Sequence, residues 1–176
     1  NQTQEFLEFL RHCAKNKLKM IGYNNLGFDW VVLDWILEKA IKAKQDGKKL
    51  RLNAKTIYNY AMKVIESKKG GEFGITVKGI HKIPQIDLFK INHYDNKAKM
   101  TSLKLLEFNM RLGSIEDLPF PVGTVLTDDE VGVLINYNIT DINATLSFYN
   151  ICKDAIKFRE DLTLKYGFDC MNLNDS

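Results

Sequence analysis

"KLKMIGYNNLGFDWVVLDWILEKAIKAKQ", residues 17 to 45, is the stretch on which the fold turns. It begins as a short apolar run closed by Gly22, Asn24 and Asn25, the pattern of a buried strand that ends in a turn. From Phe28 onward the period changes, and Val32, Leu33, Ile36, Leu37, Ala40 and Ile41 recur at helical spacing. The reading is strand, turn, helix. Further strands are expected in "ITVKGIHKIPQIDLFKI" (75–91), where period-two and wholly apolar runs are interrupted by Pro84. Helices lying between strands, with no tight hairpin signal, predict an α/β or α+β domain built on a central sheet.

The other segments read as helices and loops. "EFLEFLRHCAK" (5–15) is an amphipathic helix with Phe6, Leu7, Phe9, Leu10 and Cys13 on one side. "DGKKLRL" (46–52) breaks the helix before it, and "NAKTIYNYAMKVIESK" (53–68) makes another. "KKGGEFG" (68–74) is a basic, glycine-bearing loop. "TSLKLLEFNMRLG" (101–113) is a short helix capped by Thr101 or Ser102 and followed by Gly113. After the two-proline loop "SIEDLPFPVGTVL" (114–126), residues 127–167 form a long helical stretch with a kink, opened by the capping-box pair Thr127 and Glu130.

Composition limits what the chain does. Its 176 residues, 45% of them hydrophobic, suit one domain spanning 1–176. Lys+Arg of 25 against Asp+Glu of 22 leaves +3, too small for net charge alone to imply a polyanion partner. Cys13, Cys152 and Cys170 have no CxxC spacing, and His12, His81 and His93 have no ligand spacing. Neither a disulfide framework nor a zinc site is indicated, and a cytoplasmic setting fits. The apolar run "DWVVLDWIL" falls short of the roughly 20 residues that span a bilayer, so no membrane partner is expected. Because the chain opens at Asn1 in mid-pattern, it is read as a fragment of a longer one.

Two carboxylates stand out. Asp29 follows the turn after the first strand; Asp141 in "YNITD" (137–141) lies one helical turn from Tyr137 and on the same face. A carboxylate behind a strand end and another on a helix crossing that end can converge, as a two-metal site requires, supplying the hard oxygen ligands that Mg²⁺ prefers. The competing reading is plain: Asp29 stabilises the first turn of its helix, and Asp141 is a solvated helix residue. Tyr94 and His93 beside Lys90, Lys97 and Lys99 combine stacking with charge in the manner of a single-strand path. Lys39, Lys42, Lys44, Lys48, Lys49, Arg51, Lys68 and Lys69 read as solvated surface.

The motifs also carry a resemblance. "NLGFD" (Asn25 to Asp29) resembles the second exonuclease motif, Asn-x-x-x-Phe-Asp, and "YNITD" resembles the third, Tyr-x-x-x-Asp, of the DEDDy 3′-5′ proofreading exonucleases of family B DNA polymerases. Between them "TSLKLL" is similar to the Ser/Thr-Leu motif with which such domains, notably those of phage polymerases, hold the primer end. The three occur in the family's order, and the resemblance covers roughly residues 16 to 150. It implies an RNase H-like exonuclease fold, with a central mixed sheet flanked by helices and the N-terminal strands lacking from this fragment. It implies hydrolysis of phosphodiester bonds at the 3′ end of single-stranded DNA with two Mg²⁺ or Mn²⁺ ions, a polymerase domain in the same parent chain, and the host-cell cytoplasm if the parent is phage-encoded.

By the same resemblance Asp29 and Asp141 contact metal, Tyr137 orients the attacking water, Asn25 and Phe28 touch the last nucleotides, and Ser102 and Leu103 line the strand's path. Asn24 is a rival of Asn25, and Ser102 doubles as a helix cap. Asp87 in "QIDLF" is a further carboxylate with a structural or supporting role. One departure matters: the family's first motif, Asp-x-Glu, does not occur before Asn25. The Asp128–Glu130 pair lies in the wrong place and reads as the acidic first turn of a capped helix. The chain is therefore read as half of an active site. A catalytically silent nucleic-acid-binding or polymerase-docking module, and an RNase H-like nuclease acting on RNA, are the alternatives.

Overall fold

The computed structural model describes residues 2–67, 74–77, 81–113 and 115–173. Residues 68–73, which include Lys68, Lys69 and most of the expected glycine loop, lie outside the described residues, as do 78–80 of the expected strand region. Two compact units make up the chain, Asn1–Asp87 and Leu88–Ser176.

The first unit contains α1 (Gln2–Lys15), β1 (Met20–Gly22), a single 3₁₀ turn (Asn25–Gly27), α2 (Asp29–Gln45), α3 (Ala54–Glu66) and β2 (Gln85–Asp87). Leu7, Leu10 and Cys13 carry the buried stripe of α1, whereas Phe6 and Phe9 stay exposed, so the apolar face is narrower than the sequence suggests. These three pack with Trp30, Val31, Val32, Ile36, Leu37 and Ala40 of α2, with Val64 of α3, and with Ile83. Asn53 and Thr56 close a reciprocal capping box on α3, which satisfies two amides that a bare helix end would leave open. Trp35 stacks on Tyr60 at 4.3 Å between ring centroids, and the Trp30 indole N–H donates to His81 Nδ1 at 2.9 Å.

The second unit is α4 (Leu88–Ile91), α5 (Leu103–Asn109), α6 (Asp128–Ile151) and α7 (Lys153–Tyr166). The long helical stretch of the sequence breaks at Cys152, and Gly167 ends it in the left-handed conformation (φ 73°) that glycine adopts at helix C-termini. Thr127 and Glu130 form the capping box of α6, and Asp128, Asp129 and Glu130 are its acidic first turn. Arg159 is buried, with its guanidinium donating to the carbonyls of Leu173 (2.6 Å), Cys170 (3.2 Å) and Ile91 (3.4 Å). That fork draws the segment after α7 onto the helix.

The expected α/β, RNase H-like fold with a central mixed sheet is overturned. Among the described residues helix accounts for 59% and strand for 4%, and their sheet is two strands, β1 paired parallel with β2 in the register Met20↔Gln85, Ile21↔Ile86, Gly22↔Asp87. The physical reason lies in residues 81–91. Pro84 has no N–H to donate to a ladder, and beyond Asp87 the chain winds into α4. Ile83, Ile86, Leu88 and Ile91 are nonetheless buried. Ile86 is buried within the short β2 strand and Ile83 in the core with α1, α2 and α3, while Leu88 and Ile91 are buried on α4, so the apolar pattern reports burial without requiring a longer strand.

Candidate functional site

Asn25, Phe28 and Asp29 occupy one connection, the link from β1 to α2. Asn24 takes the left-handed conformation (φ 59°), which asparagine tolerates better than most residues. The link is held from below by Asp87, whose fully buried carboxylate accepts the backbone N–H of Asn24 at 2.8 Å and of Leu26 at 3.0 Å. Asn25 is buried rather than presented: its Nδ2 donates to Gln85 Oε1 at 2.8 Å, and Gln85 Nε2 donates in turn to the Ile83 carbonyl at 2.8 Å. Gly22 is needed beside it, since a Cβ there would stand 2.7 Å from Asn25 Cβ. Phe28 is half-buried against the core, and Asp29 is exposed as the first residue of α2, where the helix dipole favours a negative charge.

The second unit gathers the remaining site residues along α5 and α6, which pack on one another. Ser102 is the N-cap of α5, its Oγ accepting the Leu105 N–H at 3.2 Å, and Leu103 is the first, half-buried residue of that helix. Tyr137 and Asp141 are half-buried one turn apart on α6. Burial pushes the Asp141 carboxyl above the ordinary carboxylate range, against the pull of the Tyr137 hydroxyl and the Lys104 ammonium. Burial and the Asp141 charge push the Tyr137 phenol up in turn.

Sequence reasoning missed two residues here. Glu107 is 2% exposed, and its carboxyl is raised by burial and by the nearby Asp141 charge. Lys104, paired with Asp117, sends its field onto Glu107, Tyr137 and Asp141. The signal for Glu107 was present: with Leu103, Leu106 and Met110 it falls at helical spacing on the apolar side of α5, where a carboxylate is out of place.

Chemically, this corner of the second unit presents hard oxygen donors, with two carboxylates, of which the Asp141 charge raises the proton affinity of Glu107, and the Lys104 cation acting on both. Such a donor set suits Mg²⁺ or Mn²⁺. Among the described residues, no group of three or more His, Cys, Asp or Glu is arranged to hold a metal. The aromatic-basic segment is partly committed elsewhere, as Tyr94 stacks with Phe148 at 6.3 Å and Lys90 pairs with Asp95 at 3.7 Å. Among the described residues, no helix is long and apolar enough to cross a membrane. Comparison with protein-family models, curated proteins and solved structures returns no match.

Proposed function

We propose that this chain is part of a 3′-5′ exonuclease that hydrolyses phosphodiester bonds at the 3′ end of single-stranded DNA, in the service of a DNA polymerase in the same parent polypeptide. The observation that carries the proposal is the Tyr137–Asp141 pair: a half-buried carboxylate with a phenol one turn away and Lys104 acting on both. In this reading Asp141 holds a divalent cation, and the Tyr137 hydroxyl orients the attacking water. Ser102, the N-cap of α5, and Leu103, its first residue, belong to the helix that packs on α6, and in this reading they guide the strand. Two Mg²⁺ or Mn²⁺ ions, when bound, activate a water and stabilise the leaving 3′ oxygen.

With no Asp-x-Glu before Asn25, residues 1–176 by themselves are expected to hydrolyse little, because two carboxylates do not clamp two ions. The test is degradation of a 3′-ended single-stranded oligonucleotide in Mg²⁺, with the isolated chain compared with a polypeptide that also carries an upstream Asp-x-Glu. Activity only in the longer polypeptide supports the reading. Strand binding without hydrolysis in both would favour the silent module, and preference for RNA would favour the other nuclease.

A further inference from the structure

Between α5 and α6, within the second unit, lies a cleft of ≈ 190 Å³ lined by Glu107, Leu112, Thr140, Asn143, Ala144 and Ser147. Four of these six carry side-chain oxygen. Thr140, Asn143 and Ser147 share one side of α6 through the i, i+3, i+7 spacing. The Thr140 and Ser147 hydroxyl protons are already committed, to the carbonyls of Asn136 at 3.2 Å and Asn143 at 2.9 Å, so their oxygens offer the cleft lone pairs. Glu107 faces them from α5; its backbone carbonyl accepts the Leu112 N–H at 3.1 Å, but its carboxylate has no hydrogen-bond partner among the described residues although the residue is 2% exposed. A buried carboxylate in that position is costly unless something positive compensates it. Lys104 acts on it only at a distance and is itself tied to Asp117.

We infer that the α5–α6 cleft is a divalent-cation site, with Glu107 as its charged ligand and the oxygens of Thr140, Asn143 and Ser147 coordinating directly or through water. The size agrees. A liquid water occupies about 30 Å³, so the cleft holds about six waters' worth of volume, room for an ion that keeps part of its hydration shell, as Mg²⁺ does. Leu112 and Ala144 wall the cleft with apolar surface, which strengthens attraction to a cation. The inference needs neither Asp29 nor Tyr137 and does not rest on the exonuclease reading.

The test is Mn²⁺ titration of the 176-residue chain, followed by the electron paramagnetic resonance of free Mn²⁺, with Mg²⁺ and Ca²⁺ as competitors and circular dichroism as the check on folding. Glu107→Gln, which keeps shape and volume, is expected to weaken this binding by at least about 100-fold, the loss of a ligand exceeding the ~10–100-fold typical of losing its outer partner. Asp161→Asn, at an exposed position of α7 outside the cleft lining, is expected to leave it within about threefold. Glu107→Leu supplies a second readout: Ca²⁺ raises the melting temperature of the parent chain and leaves that of this variant unmoved. Unaltered Mn²⁺ affinity in Glu107→Gln overturns the inference, as does crystallographic Mn²⁺ found only elsewhere in the chain.

Discussion

Replacing Asp87 with asparagine tests whether one buried carboxylate holds the β1–α2 link in shape. The native side chain is fully buried and accepts two backbone N–H groups, from Asn24 at 2.8 Å and Leu26 at 3.0 Å. Hydrogen bonds to a charged group contribute about 1.5–3 kcal/mol each, and an N–H left without its acceptor costs about 1–3 kcal/mol. Asparagine keeps one acceptor and turns an NH₂ toward the other donor. Part of the loss returns because the buried charge is gone, leaving a net destabilisation of about 2–4 kcal/mol. The chain's two tryptophans, Trp30 and Trp35, both lie on α2, so their fluorescence reports the first unit during urea unfolding. For a unit of this size such a change lowers the melting temperature by about 10 °C or more. Asp87→Ala, which removes both acceptors, is expected to cost more than Asp87→Asn. If Asp87→Asn unfolds within about 0.5 kcal/mol of the parent, the carboxylate is not what fixes the link.

Three further outcomes are expected. Gly22→Ala places a methyl 2.7 Å from Asn25 Cβ and is expected to cost about 1–3 kcal/mol in the same unfolding assay, the range for overpacked sites. Thr127→Ala removes the N-cap of α6 and half of its capping box, for about 1 kcal/mol by urea titration of far-ultraviolet dichroism. Glu107 and Asp141 both have carboxyls raised on folding, chiefly by burial, so the folded chain keeps protons that the unfolded chain releases. Their contribution is greatest below the ordinary carboxylate range and is lost as pH rises through the raised values. Glu107→Gln should flatten that decline in unfolding free energy, and a stability that climbs across the same window in the parent chain, with no difference in the variant, would contradict the assignment.

How much of this was legible in the sequence depends on how local each signal is. The caps at Ser102 and Thr127 and the start of α2 at Asp29 are written within a few residues, and the structure has them; the kink expected in the long helical stretch had no position in the sequence, and the structure puts the break at Cys152. The sheet was misread because strand pairing is non-local. "IPQIDLFKI" is apolar enough for a buried strand, yet it pairs over three residues and then becomes α4. The same limit applies to the site. The i, i+4 relation of Tyr137 and Asp141 follows from helix geometry, whereas the approach of Glu107 and Lys104 depends on the packing of α5 against α6. Motif resemblance assigns Asn25 a nucleotide contact but carries no information on burial, and it is Gln85, 60 positions away in sequence, that holds its amide inward.

The central claim is that Asp141 holds a catalytic ion while Tyr137 orients water. It is tested most directly by single-turnover degradation of a 3′-ended oligonucleotide in Mg²⁺, using a parent polypeptide that includes an Asp-x-Glu segment, with dichroism confirming that each variant folds. Asp141→Ala is predicted to remove nearly all hydrolysis, because the ion loses its ligand. Tyr137→Phe keeps the ring and loses one hydroxyl, and is predicted to slow hydrolysis by a smaller factor of about 10 to 1000. Equal and negligible effects of the two substitutions would contradict the account and leave residues 137–141 as an ordinary stretch of helix.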